Sequence, residues 1–536
     1  MTRAYQFKTE PMDHQLRGFK LSRNKKVFAY LMEQGTGKTK LTIDVAADLF
    51  ERNEIDAVLV VAPSEGDVPF NWLEQIEEHL PNRIPRLASI WRSNMRAKER
   101  RRFEALLHPR PERILRFMTV NIEAVRAGAS GFKAVSKFLK LVGLRAMLVV
   151  DESQRIRNPG AAQTKAMLRL GGWVEYRRIL SGTPIVNGPL GAFSQFGFLD
   201  QAILGHTSYT AFKAHYCQML PPEHGLVRHA VKVAAKGNEA LERKLISIVQ
   251  IPARDPNGRP VYKNLDELQR RIAPWSFRVL KRDCLDLPDK VYHRRYIELT
   301  PKQRAIYNLV REKVIAEFVH DRQLHRISAP LAINRLLRLS QVAANHFHPD
   351  PDLLDSEKIP ERIERALKKE KSGAIISANP RAATMLSILE DHPEERGVIW
   401  ARHHPEISEV VETLSLAYGK AAVVQLHGKM SKADQNESKS RFQDTSTPVR
   451  WMVGQVRSGI GIDLYAGSVA IYYTNSFSLE DRLQSEDREH RKGQKKTVNV
   501  YDIEAHDTID AKIIDSLRAK REISDLVLKD DPTSWL

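Results

Sequence analysis

Short apolar runs recur along the chain, each followed by a polar turn and then by a stretch with helical spacing. Residues 27–31 form the first run, and 40–50 carry the helical pattern after it. Residues 57–62 are apolar throughout and end at Pro63, and 70–80 then read as an amphipathic helix. Residues 144–150 are a further, mostly apolar run, and 117–122 and 176–180 also read as strands. Runs of this length without polar alternation predict strands buried on both faces. Their alternation with helices, from 27 to about 200, predicts a parallel, doubly wound sheet. From 205 to 275 helical segments mix with a polar Pro/Gly loop at 251–260, which predicts a helical insertion. Residues 276–345 read as helical and basic, with Arg278, Lys281, Arg282, Arg294, Arg295, Arg335 and Arg338, and 349–373 as a charged connector. A second alternation begins near Pro380, with strands at 398–401, 421–426, 450–456, 469–474 and 498–503 and helices at 405–418, 432–442, 479–490 and 508–528. The expected division is a first lobe at 1–204, its insertion at 205–275, an inter-lobe helical region with connector at 276–375, and a second lobe at 376–536.

Length agrees, since 536 residues exceed one hydrophobic core. No run of about 18 apolar residues occurs, so no membrane span is expected. The first residues lack an apolar signal core. The cysteines are Cys217 and Cys284, too few for a disulfide framework or a Cys-rich zinc site, which predicts a reducing, intracellular setting. Lys and Arg exceed Asp and Glu by 84 − 66 = 18, a basic excess that points to a polyanion, nucleic acid above all.

The candidate chemistry lies between the runs. Gly35-Thr36-Gly37-Lys38-Thr39 joins a strand to a helix, where glycines let the backbone close on a phosphate and the helix N-terminus supplies N–H groups. Lys38 can reach the outer phosphates and the Thr39 hydroxyl can ligate Mg²⁺. Met32 stands where the usual first glycine of this motif would be. Upstream, the Gln15 amide carries the donor and acceptor needed to read an adenine edge. Asp151 and Glu152 end a buried run, a costly place for two carboxylates unless they hold a cation or face a cleft. Asp151 is placed for Mg²⁺ and Glu152 to deprotonate the attacking water. Ser181 and Thr183 follow the next strand, where their hydroxyls can link the nucleotide pocket to a second site. Arg488 and Arg491 are spaced to share one helical face. An arginine pair from a second domain can neutralise a transferring γ-phosphate. His346 and His348, without a third His or a Cys nearby, do not make a metal site.

In this order the motifs resemble superfamily-two helicases, and within them the Swi/Snf-type helicase-like ATPases. The strongest matches are Gly35 to Thr39, Asp151-Glu152-Ser153-Gln154, Ser181-Gly182-Thr183-Pro184, the stretch 459–464, and Gln484 to Gln494. Arg278, Lys281 and Lys290 look like the family's inter-lobe region. The resemblance implies an α/β fold of two tandem RecA-like parallel-sheet lobes with helical insertions between and within them. It further implies ATP with Mg²⁺ between the lobes, DNA across both, and movement along a duplex. Carried over by position, Gln15, Gly35, Thr36, Gly37, Lys38, Thr39, Asp151, Gly461 and Asp463 serve the nucleotide, with Thr39 and Asp151 on the metal. Glu152, Arg488 and Arg491 are catalytic with Lys38, while Pro63, Asn121, Gln154, Ser181, Thr183 and Ser458 contact DNA or couple the lobes. Gln154 departs from the family's usual His. A bare motor of this kind resembles bacterial or bacteriophage members, and the family suggests a cytoplasmic, monomeric protein. A strand-separating helicase on branched DNA or RNA, and a nucleic-acid-binding scaffold with a weak ATPase, are the alternatives.

Overall fold

The computed structural model describes the chain except residues 1–4, 65–67, 127, 187, 247, 256–259, 324–328, 348–373, 376–378, 457–462 and 529–536. It divides into two compact units, residues 1–286 with 520–536, and residues 287–519.

The first unit is built on β1 (Val27–Met32), β2 (Ala57–Ala62), β3 (Arg86–Trp91), β4 (Leu115–Asn121), β5 (Ala146–Asp151), β6 (Tyr176–Leu180) and β7 (Ser276–Val279). All pair in parallel, in the order β3-β4-β2-β5-β6-β1-β7. The continuous apolar runs reflect burial on both faces. Val27, Ala29 and Leu31 point into one cluster, Phe28, Tyr30 and Met32 into another, because side chains alternate along a strand. Helices α1 (Asp13–Ser22), α2 (Lys38–Glu51) and α3 (Val68–His79) matter for the site. Residues 205–275 hold helices Tyr209–Tyr216, Gly225–Ala235, Glu239–Leu245 and Leu265–Ile272.

One buried cation ties α1 to the sheet. Arg178 of β6 is fully buried and donates to the carbonyls of Ser22 (3.2 Å), Lys25 (2.7 Å), Lys26 (2.8 Å) and Arg177 (3.0 Å). Its charge meets the negative end of the α1 dipole.

The second unit has β8 (Lys290–Ile297), β9 (His346–Phe347), β10 (Ala374–Ile375), β11 (Gly397–Ala401), β12 (Val423–Leu426), β13 (Trp451–Gln455), β14 (Val469–Tyr472) and β15 (Val498–Ala505). Six form a parallel sheet in the order β12-β13-β11-β14-β15-β8, and β9 pairs with β10 antiparallel.

Residues 276–345 differ from the helical, basic reading. Their first part is strand: β7 extends the first sheet beside β1, and β8 edges the second beside β15. Arg278 therefore sits on β7, Lys281 in the single 3-10 turn Lys281–Asp283 after it, and Lys290 on β8, none on an α-helix. The cause is physical. An edge strand exposes polar side chains along much of its length, so Lys290 to Ile297 lacks the apolar run that marks an interior strand. Helices occupy Pro301–Gln323 and Ala329–Ala343. His346 lies on β9 with Nε2 3.4 Å from Glu409, and His348 lies outside the described residues.

Candidate functional site

The turn from β1 into α2 is shaped by two glycines in the left-handed region, Gly35 (φ +80°) and Gly37 (φ +87°). Gly37 is required twice, since a Cβ there would lie 1.9 Å from Gln15 Nε2. No side chain caps α2, so its first N–H groups are left for the loop and whatever enters it. Lys38 Nζ donates to the Met32 carbonyl (2.7 Å) and the Glu33 carbonyl (3.2 Å), which holds the cation inside the loop. Thr36 Oγ1 donates to the Glu33 carbonyl at 2.7 Å, and Thr39 is half-buried in the first turn of α2. Gln15, on α1, is buried. Its Oε1 accepts from the Met12 amide at 3.0 Å, and its Nε2 donates to the Thr36 carbonyl at 3.3 Å. His14 Nε2 donates to the same carbonyl at 2.7 Å.

Strand register sets the neighbours of this loop. Ala62 pairs with Asn121, Val61 with Val150, Asp151 with Leu180, and Tyr30 with Leu180. The carboxyl edge of the sheet thus reads Asn121, Pro63, Asp151, Ser181 and then the loop after Met32, where parallel α/β sheets carry their ligands. Pro63 is buried there and Asn121 half-buried.

Asp151 is buried, and both its oxygens are engaged. Oδ2 accepts from the Trp72 indole N–H at 2.9 Å, and Oδ1 from the Glu152 amide at 2.9 Å. Burial, then the neighbouring Glu152 charge, push its carboxyl up to about 6, against the pull of Trp72 and Lys38. Glu152 holds a left-handed backbone (φ +49°), a cost of roughly 1–3 kcal/mol for a non-glycine residue. Its Oε2 accepts from Gln154 Nε2 at 2.7 Å and its Oε1 from Gln34 Nε2 at 3.4 Å. Gln154, fully buried, takes the Ser181 hydroxyl on its Oε1 at 2.7 Å, and the Thr183 amide donates to Ser181 Oγ at 3.0 Å. One line of hydrogen bonds therefore runs from Thr183 through Ser181 and Gln154 to Glu152.

These groups fit a magnesium–nucleotide. Among the described residues no cluster of three His, Cys, Asp or Glu could cage a metal alone. Mg²⁺ typically takes one or two protein oxygens and completes its shell with phosphates and water. Asp151 and Thr39 are hard oxygen donors of that kind. A buried carboxyl raised toward neutrality is one that a cation would ionise.

In the second unit the two arginines do not share a helical face, contrary to the spacing argument. The helix Leu479–Glu489 stops before Arg491, ahead of the left-handed Gly493 (φ +107°). Arg488 is buried inside the helix, while Arg491 lies beyond it, about a quarter exposed and paired with the exposed Asp463. Gln484 is buried on the same helix. Glu486 accepts from Arg482 (2.7 Å), Tyr292 (2.8 Å) and Lys290 (3.1 Å), which fastens the helix to β8. Burial and the Glu486 charge drive the Glu489 carboxyl well above its ordinary range. Ser458 and Gly461 lie outside the described residues.

Three participants escaped the sequence reading. Trp72 looked like one more apolar position on an amphipathic helix. Gln34 was given no role. Arg278 looked like a basic helix residue, yet it donates to the carbonyls of Leu31 (3.1 Å) and Gly182 (3.2 Å) and so joins β7 to both loops. Only the indole N–H, which seeks a partner when buried, was a signal.

Comparison with known proteins follows this geometry. Residues 21–348 match the SNF2-related domain and residues 380–493 the helicase conserved C-terminal domain. A TATA-binding protein-associated factor, mot1, of Schizosaccharomyces pombe is 26% identical over 414 residues, which are 71% of this chain and 20% of the relative. An uncharacterised ATP-dependent helicase of Mycoplasma pneumoniae is 22% identical over 504 residues, 93% of this chain and 40% of the relative. The chain thus spans between a fifth and two fifths of the length of these relatives. The Sulfolobus solfataricus SWI2/SNF2 ATPase core in complex with dsDNA aligns at 22% identity over 99% of this chain and 96% of its own, with a TM-score of 0.39. No helix among the described residues is long and apolar enough to cross a membrane.

Proposed function

The chain belongs to the SNF2-related family of helicase-like ATPases, and from that premise we propose that it hydrolyses ATP and uses the cycle to move along duplex DNA. The observation that carries this reading is the single hydrogen-bonded set of Glu152, Gln154, Ser181 and Thr183 beside the loop that holds Lys38.

Each residue has a part. Gln15 turns its amide to adenine, and His14 keeps the Thr36 carbonyl in place beneath it. Lys38 exchanges two carbonyls for phosphate oxygens. Thr39 and Asp151 would hold Mg²⁺, which would supply positive charge to the phosphates. Glu152 Oε2 takes a proton from water as the water oxygen bonds to the γ-phosphorus and the bond to the leaving ADP oxygen breaks. Gln154, bonded to both Glu152 and Ser181, passes the state of the base to the Ser181–Thr183 loop. Arg488 and Arg491 neutralise charge on the γ-phosphoryl group, an effect worth roughly 10³–10⁵ in rate for arginine fingers. Pro63 and Asn121, adjacent at the sheet edge, face the DNA backbone with Ser458. Backbone contacts carry no sequence code, so binding is sequence-tolerant and salt-sensitive. The basic excess, the two free cysteines and the Mycoplasma relative favour action on DNA in a bacterial cytoplasm.

Steady-state ATP hydrolysis with no nucleic acid, single strands, duplex DNA and RNA tests this, with Glu152→Gln as the blank. Strong stimulation by duplex DNA, abolished in the variant, is expected. Stimulation by single strands or RNA alone replaces the translocase with an unwinding helicase. No hydrolysis under any condition leaves a binding scaffold.

A further inference from the structure

We propose that Trp72 is a positioning residue for the metal-holding carboxylate, fixing Asp151 through its indole N–H; this rests on the nucleotide reading above. Trp72 is on α3 and 2% exposed. Its Nε1–H donates to Asp151 Oδ2 at 2.9 Å, while the Glu152 amide donates to Oδ1 at 2.9 Å. Each oxygen therefore keeps one donor and has lone-pair capacity left over. The plane of the carboxylate is set by two fixed groups, one on the backbone and one on a helix, so it need not be ordered when a metal arrives.

The rest of the buried face of α3 is Pro69 and Ile76, which pack without polar partners, and His79, which hydrogen-bonds Thr9 Oγ1 at 2.8 Å. A phenyl or isobutyl group at residue 72 would fill the core. Only the N–H requires tryptophan, and a buried indole N–H and a buried carboxylate each need the other. Partners one bond removed from a metal ligand orient it, and losing one typically costs about 10–100-fold in metal affinity.

Trp72→Phe removes the N–H and keeps most of the ring. Trp91→Phe, at the end of β3 and three strands from Asp151 of β5, is the control. In the full chain, Mn²⁺ binding in the presence of ADP is followed by the electron paramagnetic resonance signal of free Mn²⁺. For Trp72→Phe we expect the Mn²⁺ concentration at half-saturation to rise roughly 10–100-fold. ADP binding without metal should stay within about twofold, because the indole holds the carboxylate and does not touch the nucleotide. Indole emission offers a second readout, since Mn²⁺ and ADP should change it in the wild type and in Trp91→Phe far more than in Trp72→Phe. Unchanged Mn²⁺ affinity in Trp72→Phe overturns the proposal. So does a fall in metal-free ADP binding and melting temperature with no selective metal effect, which would make Trp72 a core filler. If the wild type binds no Mn²⁺ with ADP, the nucleotide reading fails, and this proposal with it.

Discussion

Gln154→Glu changes one contact and leaves the other. The side chains are nearly the same size, and a glutamate oxygen still accepts the Ser181 hydroxyl that Gln154 takes at 2.7 Å. The donor to Glu152 is lost, and two carboxylates then face each other across the former 2.7 Å bond. A hydrogen bond to a charged group is worth about 1.5–3 kcal/mol, or roughly 10–150-fold in rate if Glu152 needs that orientation in the transition state. Two ionised carboxylates at this separation would repel by about 6 kcal/mol at an effective dielectric constant of 20, which pushes the base out of its place. The expected result is a kcat lowered about 10–100-fold at pH 7.5 with the ATP KM within about threefold. Ser181→Ala is the matching half of the experiment. It breaks a neutral hydrogen bond worth about 0.5–1.5 kcal/mol and spares the Glu152 contact, so it should cost only a few-fold in basal rate while weakening stimulation by DNA. Pre-steady-state phosphate release with and without duplex DNA reads both effects. A Gln154→Glu variant that turns over at half the wild-type rate or better would refute the relay and leave Glu152 oriented by Gln34 alone.

Two further outcomes follow from the same geometry. Gly37→Ala must adopt a left-handed backbone, about 1–2 kcal/mol, and expel the Gln15 amide from its contact with Thr36; the ATP KM should rise more than about tenfold with a lowered melting temperature, and an unchanged KM would separate Gln15 from the nucleotide. Glu489 has a folded-state carboxyl raised well above its unfolded value, so between the two values the folded chain binds the extra proton and wild-type stability falls as pH rises, by up to about 1.4 kcal/mol per pH unit. Glu489→Gln should remove that slope, so its advantage in denaturant midpoint should grow from pH 5 to pH 8; a constant difference would show that Glu489 is not held protonated.

Much of this was written in the chain because interior parallel strands must be apolar on both faces. β1, β2 and β5 are therefore nearly continuous runs, β6 less so because Arg177 and Arg178 interrupt it, and the residues at or after the ends of these strands, Lys38, Pro63, Asp151 and Ser181, fall at the carboxyl edge by topology alone. What stayed hidden depends on contacts distant in sequence. Trp72 and Asp151 are 79 residues apart, and nothing in either neighbourhood names the other. β7 and β8 were misread because edge strands are partly solvated and polar, so their period fades. Arg488 and Arg491 were placed together because spacing tells of a helix but not of where it stops; Gly493 follows too closely for the helix to reach Arg491.

Arg178 has a consequence for anyone trimming the gene. A fragment that opened at the first strand, residue 27, would keep every phosphate-binding and acidic residue and discard only Gln15 among those assigned to the nucleotide. It would also discard the carbonyls of Ser22, Lys25 and Lys26, three of the four that surround the Arg178 guanidinium. A permanently charged group would then be left in the interior with one oxygen for company, at a cost of several kcal/mol, comparable to the whole margin by which a domain stays folded. Residues 22–26 thus act as a plug for Arg178, and a shortened protein should be recovered as aggregate rather than as a folded enzyme.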